Sequence, residues 1–361
     1  MKYYGTFGPS CCEKELFIQL LEMGMTGMRL NLSHSSLEKS REWIESYREA
    51  QKESGHPADL LIDLKGPELR IGALDGTYHI RRNDMVVLEE PVEGKEQTSR
   101  RKGKTIHAPE RRIPVPGEVL QVIVEGQELL LNDGTIRLTA TEIVKGKMFR
   151  GDAEEKIQQV VCIAQCEGEI SSGKSIALPG VSLALPTLTR DDVENLNHAK
   201  EFGVTEVMLP FVRGKEDIEN LRTELRKMGL EELRIFAKIE NMEGVDALDE
   251  IIPCADVTVI ARGDLGNAVP LWQLPTLQKQ IAKKCREQNA DFMVVTQLLH
   301  SMQQSPVPTR AEVSDIYNAV LDGAASLMIT GETAAGRYPA EAMEYLIRTA
   351  KEAEREKAGE I

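Results

Sequence analysis

Short apolar runs recur along the chain, and each is followed by a stretch whose apolar positions fall at helical spacing. In the first part these runs are KYYGTF (residues 2–7), MTGMRLNLS (25–33) and ADLLIDLKG (58–66). In the second part they are VTEVMLPFV (204–212), LRIFAKIE (233–240), ADVTVIA (255–261), DFMVVTQ (291–297) and SLMIT (326–330). The alternation predicts about eight parallel strands with intervening helices, the number that closes a (β/α)8 TIM barrel, with an open doubly wound sheet as the alternative. Ser10 with Glu13, Ser35 with Glu38 and Thr189 with Asp192 all fit a capping box, in which hydroxyl and carboxylate satisfy free amides at a helix start.

After Arg70 the pattern changes to short strand-like segments, TYHIRRNDMVVLEE (77–90), EVLQVIVEGQELLL (118–131) and TIRLTATEIV (135–144), with turn signals LDG and NDG. Helical periodicity is lost for about a hundred residues, the size of a small domain. The organisation expected is therefore α/β: residues 1–70 as the first part of the barrel, 71–171 as an inserted all-β lid, and 172–361 as the second part of the barrel.

Composition narrows the classes. The formal net charge of -14 argues against a general nucleic-acid or anionic-membrane binder. A basic run, SRRKGKTIHAPERR (99–112), stands against that background either as a solvated loop or as an anion-binding flap. The six cysteines show no paired C-x-x-C spacing, which fits a reducing compartment. The amino terminus lacks the apolar core of a signal peptide and no apolar run is long enough to cross a bilayer, so the expected location is cytoplasmic.

In a barrel of this kind the chemistry sits at the carboxyl ends of the strands, which makes polar residues there informative. Lys238 and Glu240 stand two apart in RIFAKIE, so they face the same way; either they form an internal ion pair, or they flank a metal or anion. Arg29, Asn31 and Ser33 share a face at the end of the second run, a guanidinium for an anion beside neutral oxygens that suit a hard monovalent cation. Asp63 ends the third run, with Lys65, Glu68 and Arg70 beyond it, and Asp264 follows the sixth. Glu240 and Asp264 end neighbouring strands, where two carboxylates repel unless a divalent cation lies between them, and oxygen-only ligands favour magnesium or manganese. Gly263 allows close backbone approach to a carboxylate or phosphate, and Thr296 contributes a hydroxyl at the seventh strand end. This inventory matches phosphoryl transfer or enolate chemistry, and with no G-x-x-x-x-G-K-[ST] loop any nucleotide must be held differently.

These motifs resemble the pyruvate kinase family from the first run to the last helix: TFGPS, GMRLNLSH, DLKGPELR, ALPGVSLALP, FAKIEN with EGV, ARGDLG, TQLLHSM, PTRAEVSDIYNAVLDGA and GETAAGRYP. The resemblance implies that phosphoenolpyruvate and ADP are converted to pyruvate and ATP. It implies Arg29 and Lys238 at the phosphoryl group, Glu240 and Asp264 as ligands of Mg2+ or Mn2+, and Asn31, Ser33, Asp63 and the Leu64 carbonyl around K+. It further implies the Gly263 and Asp264 amides at the substrate carboxylate, Thr296 at enolate protonation, and His34, Arg70 and Lys174 facing nucleotide phosphates. Glu68 stands where potassium-dependent members carry Glu.

The chain departs from the family pattern at Ala177, Pro210, Ala268, His300 and Ala335, positions where the family commonly carries Asn, Ser, Glu, Glu and Lys. None of these removes a central catalytic group. The sequence ends with the final helical stretch AEAMEYLIRTAKEAEREKAGEI, so the carboxyl-terminal effector domain of many members is expected to be missing, and a homo-oligomer, a dimer in particular, is expected from barrel-to-barrel contact. A paralogue acting on another enolate or 2-oxo acid as an aldolase-like lyase, and an inactive ligand-binding homologue, are the alternative functions.

Overall fold

The structure is a computed structural model and describes residues 1–91, 111–132, 134–150, 153–181, 183 and 185–360. The chain divides into two compact units, Met1–Pro67 with Pro186–Ile361, and Glu68–Leu185.

The first unit is the expected (β/α)8 barrel. Its strands are Lys2–Thr6, Gly27–Asn31, Asp59–Asp63, Glu206–Leu209, Arg234–Ile239, Val257–Ala261, Phe292–Val295 and Ser326–Met328, numbered here first to eighth. They close in the order first, eighth, seventh, sixth, fifth, fourth, third, second, with every neighbouring pair parallel. Alternate side chains, among them Tyr4, Leu61, Met208, Phe236, Val259, Met293 and Met328, fill the barrel interior. The others pack beneath the helices in a larger core that includes Phe17, Tyr47, Phe202 and Leu346. Because both faces of each strand are buried, the strands read in sequence as near-continuous apolar runs.

Local helix signals hold only in part. Thr189 accepts from the Asp192 amide and forms the expected capping box before Arg190–His198. The other two boxes do not form. Helix Lys14–Met23 starts after Glu13, and helix Arg41–Ser54 after Ser40, neither with a side-chain cap; Ser35 instead pairs with the Ser40 hydroxyl at 2.8 Å. A further box, Thr309 with Glu312, starts Arg310–Leu321.

The second unit holds a six-stranded sheet and a two-stranded sheet. It is not wholly β, because Gly117–Val122 forms one helical turn and a half against the core of Val86, Leu88, Leu129 and Val160. Ser175 bridges Arg70, and Ile176 pairs with Leu131, so residues 172–185, expected with the barrel, group with this unit instead. Most of the basic run, 99–110, lies outside the described residues; Arg111 and Arg112 pair with Asp84 and Glu89.

At the amino-terminal end of the barrel, the Glu206 side chain has no exposed surface and sits among cations. Tyr4 Oη donates to it at 2.9 and 3.1 Å, Arg234 Nη1 lies at 2.9 Å and Lys2 Nζ at 3.3 Å. Burial, and then the neighbouring Asp59, push the Glu206 carboxyl up, while Lys2, Tyr4 and Arg234 oppose them. Removing one partner of such a network strands the others. Glu206→Ala is expected to destabilise the barrel by about 3 kcal/mol, measured as a lower urea midpoint at unchanged slope; an unchanged midpoint would refute a structural role for this end.

Candidate active site

The opposite end of the barrel gathers charge of both signs. Register places Asn31 beside Asp63, Asp63 beside Met208, and Lys238 beside Val259, so the second, third, fifth and sixth strands end side by side or one strand apart. Asp63 is 1 % exposed, and its Oδ2 accepts from Arg29 Nε at 2.8 Å and Nη2 at 2.6 Å. The same oxygen lies 3.5 Å from Lys238 Nζ, which contacts Glu240 Oε1 at 2.9 Å. The two residues of RIFAKIE thus form a direct ion pair, and a second carboxylate shares the lysine.

The electrostatics follow from burial and company. Burial pulls Lys238 toward neutrality, but Asp63 and then Glu240 outweigh it, so the ammonium is held above the ordinary lysine value. Burial raises the Glu240 carboxyl, Lys238 opposes that, and the like charge of Asp264 raises it again. Asp264 is therefore close enough to be felt at both groups.

Glu240 Oε2 accepts the Phe211 amide at 2.9 Å. Phe211 donates from a left-handed backbone, φ 53°, which a bulky residue rarely adopts. Two things hold that turn. Asp217 accepts from the Arg213 amide at 3.0 Å, from the Arg213 guanidinium and from Thr187 Oγ1 at 2.7 Å. Pro210 packs over Gly66, where a methyl group would stand 2.5 Å from the proline ring. Gly66 is itself pinned by Asp192, whose carboxylate accepts the Lys65 amide at 2.7 Å and the Gly66 amide at 3.1 Å. Neither Phe211 nor this bracing was read from the sequence, because the partners are distant along the chain.

Gly263 and Asp264 open the short helix Arg262–Ala268. Thr296 lies against them: a methyl group at Gly263 would stand 3.3 Å from Thr296 Cγ2 and 3.7 Å from its Oγ1. Thr296 and Gln297 both have positive φ, 80° and 56°. The following turn is held by the buried Glu332, which accepts the Leu299 amide at 3.1 Å and the Thr330 amide at 2.8 Å.

The donor sets fit the two metals named above. Asp63 Oδ1 is buried with no hydrogen-bond partner, an orphan acceptor of the kind a cation satisfies, and Asn31, Ser33 and the Leu64 carbonyl supply neutral oxygens on the same and the neighbouring strand ends. Glu240 and Asp264 form an oxygen-only pair whose mutual repulsion a divalent ion would relieve. The nucleotide candidates are not gathered in one unit. His34, exposed in the turn after the second strand, belongs to the barrel unit, whereas Arg70 and Lys174 belong to the other. There they are neighbours, since the Ile71 amide donates to the Lys174 carbonyl at 2.9 Å, and Arg70 binds Glu68 Oε2 at 2.8 Å and the Gly173 carbonyl at 2.7 Å.

Fold and site together define a (β/α)8 barrel with buried charge of both signs at its carboxyl-terminal mouth. Residues 1–343 match the family model for the pyruvate kinase barrel domain, and the chain belongs to the pyruvate kinase family. It is 33% identical over 350 residues to the pyruvate kinase of Bacillus licheniformis, covering 97% of this chain and 56% of that one. It is 35% identical over 348 residues to that of Sporosarcina psychrophila, covering 96% and 55%. To that of Methylorubrum extorquens it is 34% identical over 357 residues, covering 98% and 69%. The chain thus spans little more than half the length of the first two. Among the described residues no helix is long and apolar enough to cross a membrane.

The Asp217 brace makes a pH prediction. Burial pushes this carboxyl up, but Arg213 and Thr187 outweigh it and hold its pKa below the ordinary 3.8. Its stabilisation is therefore complete above that ordinary value and lost as pH falls through the depressed one. Asp217→Asn is expected to cost about 2 kcal/mol near neutral pH, with the gap to the parent closing in acid; a gap in urea stability that stays constant from about pH 7 to about pH 3 would refute the assignment.

Proposed function

We propose that the chain transfers the phosphoryl group of phosphoenolpyruvate to ADP, giving pyruvate and ATP. The observation that carries this reading is the position of Lys238, held protonated between Asp63 and Glu240 and beside Arg29's partner oxygen. Arg29 and Lys238 present two cations to the phosphoryl group. Because both already rest on carboxylates, they need little reorganisation when charge builds on the equatorial oxygens in transfer. The Gly263 and Asp264 amides, at the first turn of their helix, are offered to the substrate carboxylate. Thr296, against Gly263, is offered for protonation of the enolate that remains.

Glu240 and Asp264 would hold Mg2+ or Mn2+, whose chemistry is charge neutralisation on the transferring phosphate. Asn31, Ser33, Asp63 and the Leu64 carbonyl would hold K+. Arg70, Lys174 and His34 complete the reading as contacts to the phosphates of ADP or ATP. A cytoplasmic setting is supported by six free thiols. Self-association, as a dimer, is supported by the exposed Leu271 and Trp272 just beyond helix Arg262–Ala268, 69% and 80% accessible.

A coupled assay of pyruvate formation from phosphoenolpyruvate and ADP tests the whole. Lys238→Met is expected to lower turnover at least about a hundredfold, on the order of 3 kcal/mol, while the variant still folds and binds Mn2+; near-parental turnover would sink the role. Potassium makes a separate test. A monovalent cation at Asp63 offsets a carboxylate beside the transferring phosphate, so turnover is expected to fall when K+ is withdrawn from a sodium-free buffer. Equal rates with and without K+ would refute that site.

A further inference from the structure

We infer that Arg262 is a positioning residue for Thr296, acting through the Thr296 carbonyl and anchored by Asp315. The inference rests on the phosphoenolpyruvate reading above. Arg262 Nε and Nη2 donate to the Thr296 carbonyl oxygen at 3.1 and 2.7 Å. Its remaining nitrogen, Nη1, donates to Asp315 Oδ1 and Oδ2 at 2.8 and 2.6 Å and lies 3.5 Å from Gln278 Oε1. The guanidinium is 11% exposed and bridges the sixth strand end, the seventh strand end and helix Arg310–Leu321.

What the bridge holds is unusual. Thr296 has φ 80°, a conformation that a β-branched residue adopts only when its surroundings impose it. Two donors on one carbonyl fix the plane of the peptide that follows Thr296, and that plane sets where the side chain points. The Thr296 side chain is thereby kept against Gly263, with its methyl the nearer branch and its hydroxyl the farther. After phosphoryl transfer the enolate must take one proton from solvent at its methylene carbon to become pyruvate, and a misplaced hydroxyl would slow that step while leaving substrate binding largely intact. Lysine cannot replace this arginine. One ammonium cannot double-bond the carbonyl and grip Asp315 from a rigid fork.

The test is a cycle of Arg262→Lys, Thr296→Ala and their combination, measured by pyruvate formation and by exchange of pyruvate methyl hydrogens with solvent deuterium. Arg262→Lys is expected to lower kcat and the exchange rate at least about tenfold with KM for phosphoenolpyruvate within about threefold. The double variant should be no slower than Thr296→Ala alone, because the arginine acts through the threonine. Losses that multiply in the double variant, a parental kcat in Arg262→Lys, or an effect confined to KM would overturn the inference. If Arg262→Lys does not fold, as judged by its thermal unfolding, Asp315→Asn takes its place in the same cycle with the same criteria. A parent protein that forms no pyruvate overturns both this inference and the functional reading, whereas an active parent with an indifferent Arg262→Lys overturns this inference alone.

Discussion

The charge held at Asp63 conditions everything else at the barrel mouth. Its carboxylate is buried at a strand end, and one of its oxygens accepts from Arg29 and lies within ion-pair distance of Lys238. Without that anion two cations would face each other in a site with little solvent, an arrangement that costs several kcal/mol. With it, the cations are retained, and Glu240 and Asp264 add further negative charge around Lys238. Around Lys238 two cationic side chains, its own and Arg29, then stand against three anionic ones, Asp63, Glu240 and Asp264, an excess of negative charge that supports the cation sites proposed above. The unpaired Asp63 Oδ1 points to the same conclusion from hydrogen bonding rather than from charge.

The two ends of the barrel use similar residues for different ends. At the amino-terminal end Glu206 is surrounded by donors on Tyr4, Arg234 and Lys2, and no oxygen of it is left unpaired. At the carboxyl-terminal end an acceptor is left open and the backbone is strained. The non-glycine residues with positive φ among the described residues are Asn83, Asn132, Asn289, Phe211, Thr296 and Gln297. The asparagines tolerate that conformation in turns. Phe211, Thr296 and Gln297 do not, and all three follow barrel strands, beside Glu240 and Gly263. Strain concentrated there, and held by Asp217 on one side and Arg262 on the other, is what a preorganised site requires.

How much of this was legible in the sequence depends on the range of the cause. The eight strands were readable because burial on both faces leaves an apolar run that needs no knowledge of neighbours. The pairing of Lys238 with Glu240 was readable because the period of two acts within one strand. Arg29 and Asp63 could each be singled out, but their bond depends on the register of the second strand against the third, which no local pattern specifies. Capping boxes succeeded at Thr189 and failed at Ser10 and Ser35, where the helices begin three and five residues later than the hydroxyls require. The Phe211 amide, the Asp192 grip on Lys65 and Gly66, and the Arg262 fork all join positions far apart in sequence.

Pro210 shows how a departure from the family pattern can be accommodated at such a site. A proline fixes its own φ and drives the residue before it into extended conformation, which suits Leu209 at the end of its strand. Its ring then lies over Gly66, a position where any side chain would collide. With position 210 stiffened from one side and Asp217 holding Arg213 from the other, the intervening Phe211 has little freedom to leave its left-handed conformation. Its amide stays directed at Glu240 Oε2, and the stiffened turn thereby holds the carboxylate's orientation.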